Sequence, residues 1–154
     1  MSNKDDYKEI SENLSFLDDW EDRYKYLIEI GEKLTPISEA EKTEKNKVNG
    51  CVSQVWLCST TSEKDGETHI HFRGDSDALI VKGLVAVLIA YYSGKSAKWI
   101  AQNDVGKLFD EMGLREHLTS QRSNGLNSMI KSIRALAQSL AQTRALKNNQ
   151  KNSG

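Results

Sequence analysis

The 154-residue sequence contains only two cysteines, Cys51 and Cys58, and a single proline, Pro36. It also lacks an excess of either charge, because 21 basic and 22 acidic residues leave a formal net charge of -1. A near-neutral chain has no general attraction for phosphate backbones or anionic lipids, so neither nucleic acid nor membrane is an expected partner. The longest apolar run, residues 84–92, is too short to span a bilayer, and we expect a cytoplasmic protein.

The shortage of cysteine also limits disulfides and metal sites. If the segment joining the two cysteines is extended, its seven steps span roughly 23 Å, whereas a disulfide needs Cα atoms within about 7 Å. A zinc site needs about four ligands, and His69 and His71 stand without a Cys-x-x-Cys or His-Glu-x-x-His pattern. We therefore expect reduced thiols, surface histidines, no bound metal and no resident cofactor.

The chain length fits one domain, predicted over 1–146, with a frayed polar tail over 147–154. Two β-rich segments around the polar turn EKDG predict an antiparallel hairpin. The aspartates of GDSDA, Asp75 and Asp77, are expected to cap the central apolar helix. Apolar periodicity predicts helices at 7–17, from Asp18 or Asp19 to Pro36, within 74–94, at 97–102, at 104–112 and at 120–146. This order predicts an α+β fold, a small antiparallel sheet packed against several helices.

Cys51 has the local context of a reactive thiol. It follows Asn49 and Gly50, two residues that favour a turn because both tolerate positive φ. A thiol at a loop tip can approach another protein's active site, although a nucleophile also needs something that favours its thiolate. Judged on composition alone, a cysteine is more often a small buried hydrophobe. The local sequence leaves both interpretations open.

A longer pattern around Cys51 resembles a known family. The run VNGCVSQVW, residues 48–56, resembles the SufE pattern, in which Gly-Cys and then Ser-x-Val-Trp surround a sulfur-accepting cysteine. Three further blocks resemble the family in the expected order, and together the four reach from about residue 20 to residue 133. These blocks are WEDRYKYLIEIGEKL, FRGDSDALIVKGLVAVL and LFDEMGLREHLTSQRSNGL.

The resemblance implies a fold like that of SufE and the iron-sulfur scaffold IscU. It implies that Cys51 accepts persulfide sulfur from a type II cysteine desulfurase, SufS-like or CsdA-like, and stimulates that enzyme. Pyridoxal phosphate would reside on the desulfurase, and the sulfur would pass to a downstream acceptor such as an iron-sulfur assembly scaffold. The chain would then be a sulfur-transfer partner, and both the SufE and the CsdE branches stay open.

The same resemblance assigns supporting residues. Arg122 matches the family's arginine near the sulfur, where a guanidinium would favour thiolate or persulfide and could contact the partner. Gly50, Ser53 and Asp77 lie in the matched blocks and are expected to support the site or bind the partner.

The Cys51 loop departs from many relatives at two positions, Asn49 in place of proline and Val52 in place of glutamine. The change to asparagine loosens the loop. We hypothesise that Cys51 rests turned inward, with Val48, Val52 and Val55 lining its pocket, and flips outward when a desulfurase docks.

Three other functions compete with sulfur transfer. An IscU-like scaffold commonly uses three cysteines plus another ligand, and this chain has two. A thiol hydrolase would need His69, His71 or His117 within hydrogen-bond reach of Cys51. A non-catalytic adaptor would not need the thiol at all.

Overall fold

The computed structural model describes residues 3–51 and 53–152, apart from the side chains of residues 3–5, 115, 151 and 152. Within these ranges, helices pack against a two-stranded antiparallel sheet, which confirms the α+β class. The helices are α1 Asn3–Phe16, α2 Trp20–Glu32, α3 Leu79–Tyr92, α4 Ala97–Gln102, α5 Gly106–Glu111 and α6 Ser120–Asn152. The strands are β1 Val55–Lys64 and β2 Glu67–Ser76, and short 3-10 turns lie at Glu39–Glu41 and Arg115–His117.

Two helices begin at capping residues that the sequence offers. Asp19 accepts a hydrogen bond from the Glu21 amide and caps α2, while Ser96 caps α4 through the Trp99 amide. Helix α4 has the bounds predicted for it, but α2 ends at Glu32, before Pro36. Helix α6 continues past 146 to Asn152, and the last two residues of the predicted tail lie outside the described part of the chain. The single-domain interpretation stays a prediction.

The hairpin is confirmed, with Val55 opposite Ser76 and Lys64 opposite Glu67. Its turn residues Asp65 and Gly66 both have positive φ, 54° and 76°, the geometry of the tight turns that suit twisted strands.

The two histidines of β2 differ in exposure. His71 is exposed, as expected, and its Nε2 lies 2.9 Å from Ser62 Oγ. His69 is half-buried rather than exposed, and its Nδ1 lies 3.0 Å from the Gly94 carbonyl oxygen.

Helix α3 is the centre of the core. Nine of its residues are buried, including Leu84, Val87 and Leu88, so the predicted central apolar helix is confirmed. Helix α2 crosses it closely, and a Cβ added to Gly83 would overlap the Leu27 carbonyl oxygen. Within residues 3–51 and 53–152, no helix is both long enough and apolar enough to cross a membrane.

The predicted capping of α3 by Asp75 and Asp77 is wrong. The helix starts after Ala78, whose backbone is extended, and receives no side-chain cap. Asp75 is still paired in the sheet, and its carboxylate lies 3.4 Å from Lys82 Nζ. Asp77 Oδ1 accepts a hydrogen bond from the Gln54 amide at 3.0 Å. The chain passes from β2 into α3 almost without a connection. Both carboxylates bind these other partners, and neither caps the helix.

An ion pair beside the sheet predicts acid sensitivity. Hydrogen bonds from Arg73 hold the pKa of the Glu41 carboxyl at about 2, below its usual 4.5. A lowered folded-state pKa stabilises the protein above 4.5, and that contribution disappears as pH falls through about 2. Arg73→Gln should therefore lower the free energy of unfolding in urea at neutral pH, and the difference from wild type should shrink as pH falls from 4.5 towards 2.

The control for this comparison is Lys25→Gln. Lys25 and its partner Glu21 are both largely exposed, and Lys25 Nζ lies 3.9 Å from Glu21 Oε1. This control should change stability little at any pH, because exposed pairs contribute little. A difference between Arg73→Gln and wild type that stays constant across the acid range would contradict the assignment.

Candidate functional site

The loop that carries Cys51 is closed at its base by backbone hydrogen bonds. The Val48 amide donates to the Val55 carbonyl oxygen at 2.8 Å, so the described residues between them form a loop ahead of β1. Gln54, near the end of the loop, exchanges hydrogen bonds with Asp77, since its amide donates to the carboxylate and its carbonyl oxygen accepts from the Asp77 amide. Asp77 thus anchors the Cys51 loop to the start of α3, a supporting position different from the predicted cap.

Gly50 allows the loop to lie close to helix α6. Its φ of +92° lies in the region that only glycine adopts easily. A Cβ at this position would also lie 2.5 Å from Ser128 Oγ. The backbone conformation therefore favours glycine at the position before Cys51, and a larger residue would also displace the Ser128 hydroxyl.

The Cys51 thiol points towards α6 and is half-buried. Its Sγ lies 3.6 Å from the Gly125 carbonyl oxygen, close enough for a weak S–H hydrogen bond. Burial raises the pKa of the Cys51 thiol, so the resting protein favours the thiol over the thiolate at neutral pH. Both cysteines are free thiols, and Cys58 is buried within β1, away from this site.

A cavity of about 220 Å³ adjoins the sulfur. The residues that line it beside Cys51 are Ser53, Val81, Thr119, Gln121, Arg122, Gly125 and Met129. The hypothesised apolar wall of Val48 and Val55 is wrong, because neither valine is among the residues that line the cavity. Val52 lies outside the described residues. Val81 and Met129 provide the apolar wall instead, and they come from α3 and α6.

Arg122 lines the same cavity as Cys51, although the two residues are far apart in sequence. The first turn of α6 places it there, since the Arg122 amide donates to Thr119 Oγ1 at 3.2 Å and Thr119 precedes the helix directly. Ser53 and Thr119 add hydroxyl groups to the cavity wall. Of the predicted site residues, Cys51, Ser53 and Arg122 meet in the cavity, while Gly50 and Asp77 hold the loop.

Sequence reasoning missed the contribution of Gly125. An isolated glycine inside a helical pattern indicates a packing or functional reason, because glycine weakens helices. Here Gly125 is buried directly against Cys51. That signal was present in the segment RSNGLNSM, but nothing local indicated which residue would lie opposite the glycine.

The alternative functions find less support in this geometry. The described residues that line the cavity include no histidine. His117 instead stacks on Trp20 with ring centroids 3.8 Å apart. Within the described part of the chain, no three His, Cys, Asp or Glu side chains are grouped so that they could hold a metal ion. Neither a thiol–histidine pair nor a cluster-binding site is therefore evident among the described residues at Cys51.

Comparison with known proteins agrees with the sequence pattern. The family model described as "SufE: Fe-S metabolism associated domain" matches residues 8–137. An uncharacterised SufE-like protein from Rhizobium etli is 53% identical over 126 residues, 82% of this chain and 85% of the relative. A second, from Rhizobium meliloti, is 47% identical over 130 residues, covering 84% of this chain and 93% of the relative.

A solved structure shares the fold. It is the solution structure of a hypothetical protein from Thermus thermophilus, with a TM-score of 0.64. The alignment covers 87% of this chain and 94% of the other, at 22% sequence identity. At that identity the match concerns the fold alone.

Proposed function

Because the chain belongs to the SufE family, whose members act in sulfur transfer with cysteine desulfurases, we propose that Cys51 accepts sulfane sulfur from such an enzyme. The observation that supports this most strongly is the half-buried Cys51 thiol on a glycine-dependent loop, beside a cavity that also contains Arg122. In this proposal pyridoxal phosphate belongs to the partner, and the chain needs neither a cofactor nor a metal of its own. The sulfur then passes to a downstream acceptor such as an iron-sulfur assembly scaffold.

The transfer is a thiol exchange without net oxidation. The Cys51 thiolate attacks the terminal sulfur of the desulfurase persulfide, so a new S–S bond forms on Cys51. The old S–S bond breaks, and the desulfurase cysteine leaves as a thiolate that can take up the proton lost by Cys51. The desulfurase is thereby freed for another turnover, which explains why an acceptor stimulates it.

The cavity beside Cys51 suits the product better than the reactant. Burial disfavours the thiolate by raising the pKa of the Cys51 thiol, yet a persulfide is a stronger acid than a thiol and is held as an anion more easily. Arg122 supplies a positive charge within this cavity, and Ser53 and Thr119 supply hydroxyl donors. The same walls would shield the persulfide from reductants between partners.

Replacing Arg122 tests whether the cavity stabilises the persulfide anion and not the resting thiolate. In Arg122→Gln we expect desulfurase stimulation to fall by about tenfold, because the transferred anion loses its positive partner. Iodoacetamide labelling of the Cys51 thiol should change by less than about twofold, since burial sets its reactivity at rest. Arg122→Lys is the matched control and should recover part of the stimulation. Equal stimulation by wild type and Arg122→Gln would contradict a role for the guanidinium.

Because the Cys51 thiol points inward at rest, we expect reagents to reach it readily only after the loop has moved. Iodoacetamide should label Cys51 slowly in the free protein and at least about tenfold faster when a catalytically inactive desulfurase holds the loop outward. Peptide mass analysis separates Cys51 from Cys58. Fast and equal labelling with and without the partner would mean that the sulfur is always exposed.

The partner is found by measuring alanine formation. Candidate SufS-like and CsdA-like desulfurases receive cysteine and pyridoxal phosphate, with and without this protein. The proposed function predicts that at least one enzyme forms alanine faster in the presence of the protein. No acceleration of any cysteine desulfurase from the same cell would overturn the proposal.

A further inference from the structure

Gly125 is the point of α6 on which Cys51 rests. A Cβ built on Gly125 would lie 3.4 Å from Cys51 Sγ, 3.7 Å from its Cβ and 3.8 Å from its Cα. The whole Cys51 side chain therefore lies against the bare backbone of the helix. The Gly125 carbonyl oxygen is also the partner of the thiol, 3.6 Å away.

The distances set a size limit at position 125. An alanine methyl at 3.4 Å from the sulfur makes ordinary van der Waals contact, so the thiol can stay where it is. That methyl would cover a further part of the sulfur. A valine adds two carbon atoms beyond this Cβ, and some of that volume falls where the Cys51 side chain now lies. The loop carrying Cys51 would then have to move away from α6.

We infer that Gly125 is a positioning residue for sulfur transfer: its missing side chain allows Cys51 to rest inward, and the size of residue 125 sets the balance between inward and outward thiol. The Gly50 contact with Ser128 is the second point at which the loop meets α6. Through these two contacts the Cys51 loop packs on the first turns of α6. The inference deepens the proposed function and rests on it for its biological meaning.

The test is the rate of iodoacetamide labelling of Cys51 in the free protein. Gly125→Ala should slow labelling by about threefold, because the added methyl covers the sulfur. Gly125→Val should accelerate it by about tenfold, because the thiol is pushed out of its resting place. A purely structural role for Gly125 would change stability in both variants without reversing the direction of the labelling effect.

The matched control is Asn127→Val, which puts the same β-branched side chain at an exposed position of α6. It should label at the wild-type rate. Far-UV circular dichroism checks the fold of each variant. If Gly125→Val does not fold, Gly125→Ala still decides the matter, because an unchanged labelling rate in a folded Gly125→Ala overturns the inference.

The labelling needs no desulfurase, so the inference and the proposed function fail separately. If alanine formation is never stimulated but the labelling series behaves as described, the sulfur-acceptor role is wrong and the positioning role stands. If stimulation occurs while Gly125→Val labels at the wild-type rate, the positioning role is wrong.

Discussion

Cys51→Ser is expected to abolish stimulation completely, so that alanine formation falls to the rate of the desulfurase alone. Serine is nearly isosteric with cysteine, but its oxygen cannot accept sulfane sulfur from a persulfide. Cys58→Ser should keep the stimulation, because Cys58 is buried within β1 and does not line the Cys51 cavity. The assay is alanine formation by the cognate desulfurase at saturating cysteine.

Thermal unfolding of both serine variants separates loss of function from loss of fold. Cys51 is half-buried, so its replacement should leave the unfolding temperature nearly unchanged. Cys58 is only 7% exposed, and its replacement is expected to lower stability modestly. Stimulation that persists in Cys51→Ser and disappears in a folded Cys58→Ser would reverse the assignment of the acceptor.

Gly83→Ala should cause the largest loss of stability among single methyl additions in the core. The added Cβ would overlap the Leu27 carbonyl oxygen and lie 2.6 Å from its carbonyl carbon, and backbone atoms cannot rotate away. Helices α2 and α3 would have to separate, at a cost of about 3 kcal/mol, the upper part of the range for overpacking. For a chain of this length that corresponds to a fall in Tm of about 6 to 12 °C.

Gly66→Asn is the control for Gly83→Ala. Gly66 has positive φ and nothing within 4 Å of an added Cβ, and asparagine tolerates such a backbone. Its Tm should stay within about 3 °C of wild type. A Tm for Gly83→Ala as close to wild type as the control would contradict the tight crossing of α2 and α3.

The hairpin and most helix ends could be predicted because their signals are local. The EKDG turn, the Ser96 cap and the apolar face of α3 each depend on residues within a few positions of one another. The failure at Asp75 and Asp77 has the same origin. Both are good capping residues by local rules. In the structure, however, Asp75 pairs with two lysine side chains and Asp77 accepts a hydrogen bond from the Gln54 amide.

The cavity could be predicted only in part. Sequence resemblance identified Cys51 and Arg122, which the structure places in one cavity. It did not identify Val81, Gly125 or Met129, since these depend on how α3 and α6 pack against the loop. Val48 and Val55 were among the apolar residues nearest in sequence, yet neither of them lines the cavity. Pocket walls depend on long-range packing that nearness in sequence does not reveal.

The most direct test of the sulfur-acceptor role is the intact mass of the protein after incubation with its desulfurase, cysteine and pyridoxal phosphate. We expect the mass to increase by one sulfur atom, removable by a thiol reductant, and peptide analysis should place that sulfur on Cys51. An unchanged mass while the desulfurase is stimulated, or an added sulfur confined to Cys58, would contradict the central claim.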